Sequence, residues 1–225
     1  MRYFNKPERM AWGIEYYKSM MTSSFPDQVT MEKSPRYWIS SDVPENVKRL
    51  NPKIKLILSV REPACRVGSD FHYRRVLHDV KDINFDEFVS SNHERLNFYL
   101  TPSFYDIHLE NWLKSFPLKQ IFIIRNEDML IGEKLAQILR DLENFLEIPH
   151  EFNVKTTNDT TCVTSPYQEY MREPRRSLCI PDFSQMNGTC SYEGDYKETI
   201  DSLRTMFKPH VERFEVLAQR KFNWY

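Results

Sequence analysis

Two short segments of the chain are almost continuously apolar, Ile54–Val60 (IKLILSV) and Gln120–Arg125 (QIFIIR). Short apolar runs rich in β-branched residues are typical of strands that are covered on both faces of a parallel sheet. A third strand candidate, Val29–Lys33 (VTMEK), is shorter. The hydrophobic pattern therefore predicts three strands, two of them in the buried interior of a parallel sheet.

Helical patterns separate the predicted strands. Apolar residues recur at helical spacing in Glu8–Met21, Pro63–Leu77, Tyr105–Phe116 and Leu135–Leu146, and such stripes mark the buried face of a helix. Pro63 stands in a first helical turn, where proline is well tolerated. Because strands and helices alternate, we expect right-handed βαβ units and a three-layer α/β domain.

The pattern changes after Phe152. Residues Asn153–Tyr196 are polar and lack periodicity, and Lys197–Phe222 then returns to a helical pattern that is interrupted near Pro209. A long irregular segment inside a compact domain is usually functional or disordered, so we expect 153–196 to form a long functional loop. The length of the chain predicts a single domain over residues 1–225.

Charge and hydropathy exclude several functional classes. The chain has 31 Lys and Arg residues against 32 Asp and Glu residues, a net charge of -1, which argues against binding to nucleic acid through overall charge. No apolar stretch approaches the roughly 20 residues that span a bilayer. The first residues lack the apolar run of a secretory signal. We expect no nucleic-acid partner, no membrane contact from this chain itself, and neither anchor nor export signal.

Glycine and metal-ligand spacing exclude the common nucleotide and metal motifs. The chain contains only five glycines, and their spacing fits neither G-x-G-x-x-G nor G-x-x-x-x-G-K. Both motifs need glycine so that the backbone can approach phosphate. The histidines form no H-E-x-x-H pattern and the cysteines no C-x-x-C pair, so we expect no metal. A bound nucleotide must be held by side chains, or by a segment that this chain does not contain.

The cysteines give an indication of the compartment. Three of the four cysteines, Cys162, Cys179 and Cys190, lie in the last third of the chain, next to glycosylation sequons at Asn158 and Asn187. Disulfides and N-glycosylation are properties of secretory-pathway proteins. The combination favours an oxidising secretory lumen.

The first candidate for chemistry follows the first predicted strand. In an open α/β sheet, ligands bind beyond the carboxyl ends of the strands. Lys33 falls there and is followed by Ser34 and by Pro35, which stiffens the turn. A lysine in this place can neutralise charge on a transferring phosphoryl or sulfuryl group. The alternative interpretation is a solvated lysine at the end of a strand.

The second candidate is Arg61, directly after the second predicted strand, with Ser69 eight positions later on the following helix. A guanidinium group can bind an anion through two parallel hydrogen bonds, and a helix hydroxyl can complete the site. The alternative is a structural ion pair, because Glu62 competes for the same charge. Lys33 and Arg61 at the ends of neighbouring strands together favour a shared anionic ligand.

A third feature is the basic helix face formed by His72, Arg74 and Arg75 beside Tyr73. Such a face could line a groove for a polyanion. A solvated helix surface explains the same pattern equally well.

Five segments resemble the heparan sulfate glucosamine 3-O-sulfotransferases, within the wider family of Golgi sulfotransferases. Tyr3–Met21 resembles an aromatic pair followed by a helix with G-x-x-[WY]-Y, and Val29–Tyr37 resembles E-K-[ST]-P-x-Y. Asn51–Ser69 resembles N-P-x-x-K-L-I-x-x-x-R-x-P-x-x-R-x-x-S. Tyr105–Ile121 resembles Y-x-x-H-L-x-x-W-L-x-x-F-P-x-x-Q-I, and Phe222–Trp224 resembles a closing F-x-W.

The resemblance implies a fold, a reaction and a place in the cell. The fold is a P-loop-like sulfotransferase fold with a central parallel sheet. The reaction is transfer of a sulfuryl group from 3′-phosphoadenylyl sulfate (PAPS) to a glucosamine 3-hydroxyl of heparan sulfate, in the Golgi lumen. Such a transfer needs cationic relief of developing charge and a base for the acceptor hydroxyl.

The resemblance also implies roles for individual residues. Arg61 and Ser69 match positions that bind the 3′-phosphate group of the donor, and Lys33 matches the catalytic lysine near the sulfuryl group. The substrate-lining segment of the family corresponds to Lys33, Ser34, Pro35 and Arg36. Cys162 and Cys179 resemble the disulfide pair of the family's late loop.

Departures from the family pattern concern the other half of the donor site. A lysine- and glycine-bearing 5′-phosphosulfate loop and a catalytic glutamate belong N-terminal to the position of Met1. We therefore expect an N-terminally truncated fold without the general base. Arg2 and Asn5 replace a histidine and an acidic residue, and the basic late donor loop falls on Asn187–Ser191, where only Gly188 is kept.

Three hypotheses remain open at this point. The chain is a 3-O-sulfotransferase-like enzyme that lacks an N-terminal segment, a non-catalytic relative that binds sulfated glycan or donor, or a sulfotransferase for another acceptor, such as the amino group of glucosamine. We expect little or no sulfuryl transfer by the 225-residue chain on its own.

Overall fold

The computed structural model describes residues 2–25, 28–77, 83–150, 152–157, 160–164, 178–181, 190 and 194–225. In these ranges the strands are β1 (Leu56–Val60), β2 (Ile121–Arg125), β3 (Asn153–Thr156), β4 (Thr160–Thr164) and β5 (Leu178–Pro181). The α-helices are α1 (Pro7–Met10), α2 (Gly13–Ser19), α3 (Val43–Leu50), α4 (Pro63–Val76), α5 (Phe85–Ser90), α6 (Leu96–Leu100), α7 (Tyr105–Leu113), α8 (Gly132–Leu146) and α9 (Lys197–Ala218). Short 3-10 helices cover Pro35–Tyr37, Thr101–Ser103, Leu118–Gln120 and Asn126–Leu130.

Strands β1 and β2 pair in parallel, with Leu56 opposite Ile121 and Val60 opposite Arg125. Helices α4 to α7 connect them, since parallel strands need a long crossover. Both strands lie within the predicted apolar runs, and the predicted α/β class is confirmed. The carboxyl end of β1 leads directly into Arg61 and then into α4.

The prediction of a strand at Val29–Lys33 is wrong, because residues 28–34 have no regular secondary structure. Val29 and Met31 are 53% and 74% exposed, so the apolar positions of this segment bury little surface. The carboxylate of Glu32 accepts hydrogen bonds from the hydroxyl groups of Tyr17, Ser34 and Tyr37. Side-chain hydrogen bonds therefore hold this segment in place of a strand ladder.

Helix α9 packs against two clusters of buried side chains. Ile200, Leu203 and Phe207 join a cluster with α4, α5 and α6, whereas Phe214 and Ala218 join a cluster around β1, β2 and α7. The predicted interruption near Pro209 is wrong, since the helix is continuous from Lys197 to Ala218. Buried Phe207 and Val211 flank the proline and hold the helix to the core. No helix in the described ranges is long and apolar enough to cross a membrane.

The region after Phe152 contains an antiparallel sheet in the order β3-β4-β5. The prediction of an irregular loop over 153–196 is therefore wrong for these strands. Cys162 lies opposite Cys179 in the ladder, and the two residues form a disulfide. Strands β3 and β4 are rich in threonine and poor in apolar residues, and β5 is only four residues long, which is why hydrophobic periodicity did not reveal them. Asn158 and Asn187, the acceptor residues of the two sequons, lie outside the described residues.

Candidate functional site

Arg61 occupies the first position after β1, and a buried tyrosine fixes its backbone. The hydroxyl group of Tyr105, on α7, donates to the carbonyl oxygen of Arg61 and accepts from its amide nitrogen. Burial raises the pKa of Tyr105 to about 12, so the hydroxyl keeps its proton at neutral pH. The strand end and the tyrosine together set the position from which the Arg61 side chain extends.

Glu62 follows Arg61 in the chain but does not pair with it. Its carboxylate caps α4 by accepting hydrogen bonds from the amides of Ala64 (3.2 Å) and Cys65 (2.7 Å). The hydroxyl group of Tyr225 donates to Oε1 of Glu62 at 2.9 Å. The competition for Arg61 that the sequence suggested is therefore absent, and no described residue forms an ion pair with the Arg61 guanidinium.

Arg61 and Ser69 line one open cavity of about 450 Å³. Ser69 lies on α4, one side of the cavity, and Pro35 and Arg36 from the 3-10 helix at 35–37 line it as well. The structure thus brings together both residues predicted to bind a phosphate group and two of the residues predicted to contact substrate. The remaining described lining residues are Ile39, Arg66, Asp70, Tyr73, Arg74, Phe98 and Pro102.

The cavity wall carries an excess of positive charge. Four of its lining residues are arginines, and Asp70 is the one carboxylate among the described lining residues. Nε of Arg74 lies 2.8 Å from Oδ1 of Asp70, and Nη1 of Arg66 lies 3.5 Å from Oδ2. Asp70 is thus shared by two arginines, while Arg36 and Arg61 have no acidic partner in the described part of the chain. The wall therefore favours an anionic ligand.

Lys33 and Ser34 do not lie among the described residues that line this cavity. Lys33 is exposed. The Ser34 hydroxyl donates to Oε1 of Glu32 at 2.8 Å and accepts from the amide of Arg2 at 3.1 Å. The structure consequently brings Pro35 and Arg36, but not Lys33 or Ser34, next to Arg61.

Glu32 holds the segment that leads to the cavity-lining residues Pro35 and Arg36, a role that the sequence did not reveal. Its Oε1 accepts a 2.8 Å hydrogen bond from Tyr37, whose hydroxyl in turn accepts from the amides of Tyr3 (2.7 Å) and Phe4 (3.2 Å). The hydroxyl group of Tyr17 also donates to Glu32. Burial and the Glu32 carboxylate raise the pKa of Tyr17, so its hydroxyl stays protonated. The network fixes the segment before Pro35 against the aromatic pair near the start of the chain. Nothing in the single sequence distinguishes Glu32 from an ordinary ion-pair partner of the adjacent lysine.

A second disulfide, between Cys65 and Cys190, was also missed. It joins the first turn of α4 to a residue 125 positions later. Ligand atoms of Glu62, Cys65 and Cys190 lie within 4.8 Å of one another, which is close enough for a metal ion. The two sulfur atoms are bonded to each other, however, and metals bind thiolates. Only the even number of cysteines hinted at a second bridge.

The chain is similar to known proteins in both its sequence and its fold. The family model described as "Sulfotransferase domain" matches residues 2–188. Heparan sulfate glucosamine 3-O-sulfotransferase 5 of Mus musculus and that of Homo sapiens are each 32% identical over 240 residues, covering 100% of this chain and 64% of the relative. This chain therefore spans 64% of the length of these two relatives.

Among solved structures, a sulfotransferase from Alicyclobacillus acidocaldarius is similar to this chain with a TM-score of 0.55. The similarity covers 83% of this chain and 63% of that chain, at 18% identity. At this identity the similarity concerns the fold alone. It indicates that this chain and that sulfotransferase share the same α/β fold.

Proposed function

The chain belongs to the sulfotransferase domain family, and from this premise we propose that its arginine-lined cavity binds the 3′-phosphate group of PAPS. We further propose that residues 1–225 form one sulfotransferase domain whose acceptor is a glucosamine 3-hydroxyl of heparan sulfate. The names of the relatives support this acceptor. The packing of α9 against both core clusters supports a single domain.

One observation carries the proposal: Arg61 and Ser69 line the same cavity, and no described residue neutralises the Arg61 guanidinium. A phosphate monoester offers several acceptor oxygens to such a pair. The guanidinium can donate two parallel hydrogen bonds, and the hydroxyl can donate a third. Because Tyr105 fixes the backbone of Arg61, little ordering of that residue is needed when the ligand binds.

The acceptor would lie across Pro35 and Arg36, which share the cavity with Arg61. Lys33, two residues earlier, would bring a positive charge to the sulfuryl group as it transfers. No described residue takes the role of general base in this proposal. The two disulfides support an oxidising compartment, and we place the protein in the Golgi lumen, with glycans at Asn158 and Asn187.

A second candidate function is binding of donor or sulfated glycan without turnover. The position of Lys33 away from the cavity wall favours it. A protein that binds the donor without turnover requires the same phosphate site as the enzyme, so these two differ in transfer and not in nucleotide binding.

The first experiment measures binding of adenosine 3′,5′-bisphosphate and of adenosine 5′-monophosphate to the full chain by isothermal titration calorimetry. We expect the bisphosphate to bind at least about tenfold more tightly, because only it carries the 3′-phosphate. Equal affinities would contradict the proposed site. Incubation with radiolabelled PAPS and heparan sulfate follows. Labelled glycan identifies a transferase and excludes binding without turnover, whereas nucleotide binding without label is the result expected both of the binding protein and of a transferase domain without its general base.

A further inference from the structure

The residues that follow helix α9 turn back onto the core. Gln219 has a φ of 52°, the left-handed conformation in which a helix commonly ends. The ring of Phe222 is buried, and its centroid lies 5.0 Å from that of Phe214 on α9. The Phe222 amide donates to Oε1 of Glu215, also on α9, at 2.8 Å. Helix α9 therefore holds the segment formed by residues 222–225.

Tyr225 contacts the residue that follows Arg61 in the chain. Its hydroxyl group donates to Oε1 of Glu62 at 2.9 Å, and Nε of Arg204, on α9, lies 3.9 Å from the same oxygen. Burial and the Glu62 carboxylate raise the pKa of Tyr225, so the hydroxyl keeps its proton and remains a donor. Glu62 is buried, whereas Tyr225 is 49% exposed. Tyr225 thus joins the core through its hydroxyl group more than through its ring.

Trp224 keeps the same segment next to Arg61. Its ring centroid lies 6.0 Å from that of Tyr105, whose hydroxyl group bonds both backbone groups of Arg61. Neither Trp224 nor Tyr225 is among the described residues that line the cavity. Two consecutive residues therefore contact Tyr105 and Glu62, which adjoin the Arg61 backbone, without lining the cavity themselves.

The first turn of α4 lies between Arg61 and Ser69, so its geometry sets the distance between the guanidinium group and the hydroxyl group. The Glu62 carboxylate holds this turn by accepting hydrogen bonds from the amides of Ala64 and Cys65. A site whose groups are already fixed loses less conformational freedom when its ligand binds. A residue that fixes Glu62 can therefore increase the affinity for an anion without touching it.

We propose that Tyr225 is a positioning residue of the phosphate site, which acts through Glu62 on the backbone between Arg61 and Cys65. The F-x-W pattern that resembles the sulfotransferases ends at Trp224, so the role of Tyr225 does not follow from that pattern. The inference rests on the proposed function for the identity of the ligand. The fixing of the backbone itself can be measured without a ligand.

The first measurement is hydrogen exchange by mass spectrometry, on the full chain, with the disulfides reduced after quenching. Tyr225→Phe removes the hydroxyl group and keeps the ring. The amides of residues 61–66 should exchange at least about threefold faster in this variant, because the carboxylate that bonds them is less well held. Tyr16→Phe, on α2, controls for loss of a hydroxyl elsewhere. Arg49→Ala, which breaks an exposed ion pair with Glu45 on α3, controls for loss of a polar contact. Neither control should change the exchange of residues 61–66.

The second measurement is calorimetric titration of the folded variants with adenosine 3′,5′-bisphosphate and adenosine 5′-monophosphate. Tyr225→Phe should weaken bisphosphate binding about three- to fivefold and monophosphate binding less, because only the bisphosphate uses the Arg61 site. In a Glu62→Ala background, Tyr225→Phe should cause no further loss, since its acceptor is gone. Additive losses would refute action through Glu62. If circular dichroism shows that Glu62→Ala is unfolded, the single variant decides through its exchange pattern.

The outcomes separate this inference from the proposed function. Faster exchange over the whole chain of Tyr225→Phe would mean that the residue only stabilises the fold, and the inference would be refuted. Faster local exchange with unchanged bisphosphate affinity would refute it as well. If the unmodified chain does not prefer the bisphosphate, the donor proposal fails, and the local exchange alone decides whether Tyr225 fixes the Arg61 backbone.

Discussion

The hydroxyl group of Tyr105 donates a 2.9 Å hydrogen bond to the carbonyl oxygen of Arg61 and accepts a 3.3 Å hydrogen bond from the amide of the same residue. A single buried side chain thus satisfies both backbone groups at the point where β1 ends. This arrangement leaves the Arg61 side chain to extend into the cavity from a fixed backbone.

Removal of that hydroxyl tests the importance of the fixed backbone. Tyr105→Phe should lower the free energy of unfolding by about 1–3 kcal/mol, because two backbone groups near the core lose their partner. The same substitution should weaken binding of adenosine 3′,5′-bisphosphate several-fold, since Arg61 must then be ordered on binding. Urea unfolding and calorimetry measure the two effects. Tyr16→Phe, which changes a tyrosine outside the cavity lining, is the control, and identical behaviour of the two variants would contradict this role.

Ser69→Ala removes one hydroxyl from the cavity wall. We expect adenosine 3′,5′-bisphosphate to bind about three- to tenfold more weakly, as for the loss of one hydrogen bond to a charged ligand. Ser69→Thr keeps the hydroxyl and should recover most of the affinity. A loss of the same size for adenosine 5′-monophosphate would place Ser69 away from the 3′-phosphate.

Glu62 should leave a signature in the pH dependence of stability. Burial raises the pKa of this carboxyl above its ordinary value, although hydrogen bonds from Cys65, Tyr225 and Ala64 oppose the shift. The folded state therefore retains the proton to higher pH than the unfolded state does. The resulting contribution to stability is complete below the ordinary glutamate pKa and is lost as the pH rises through the raised value.

Glu62→Gln removes this titration. The free energy of unfolding of the variant relative to the unmodified protein should therefore increase as the pH rises from about 4 towards neutrality. Urea unfolding at a series of pH values measures the difference. Glu8→Gln, at an exposed residue of α1, provides the control. A constant difference across the range would show that Glu62 titrates alike in both states.

The two disulfides should differ in their contribution to stability. The Cys65–Cys190 bridge closes a loop with a sequence separation of 125, against 17 for Cys162–Cys179. Because a longer loop restricts the unfolded chain more, replacing Cys65 and Cys190 by alanine should lower the free energy of unfolding by about 1–2 kcal/mol more than replacing Cys162 and Cys179. Urea unfolding without reductant compares the double variants, and the reverse order would contradict this expectation.

The sequence predicted those parts of the fold in which local pattern and tertiary environment agree. Strands β1 and β2 lie in near-continuous apolar runs, so hydrophobicity alone located them, although β1 is not covered on both faces as predicted, since Ile57 is 38% exposed. The segment Val29–Lys33 also contains residues that favour strands, but no described residue pairs with it in a ladder, and its apolar side chains are exposed. Strand propensity without a partner did not produce a strand.

The sequence predicted only those residues of the candidate site whose positions follow from the end of a strand. Arg61 and Ser69 could be placed together because β1 leads directly into α4. The hydrogen bonds of Glu62 with Tyr225, and of Tyr105 with Arg61, join residues that are 163 and 44 positions apart. No local pattern encodes such long-range partners. For that reason only the structure showed that Glu62 has other partners and forms no ion pair with Arg61.

The most direct measurement compares the unmodified chain with Arg61→Ala in calorimetric titrations with adenosine 3′,5′-bisphosphate and adenosine 5′-monophosphate. If Arg61 binds the 3′-phosphate, its loss weakens bisphosphate binding at least about tenfold, leaves monophosphate binding nearly unchanged, and has no counterpart in Arg49→Ala. If Arg61→Ala binds the bisphosphate as tightly as the unmodified chain does, the cavity is not the donor phosphate site.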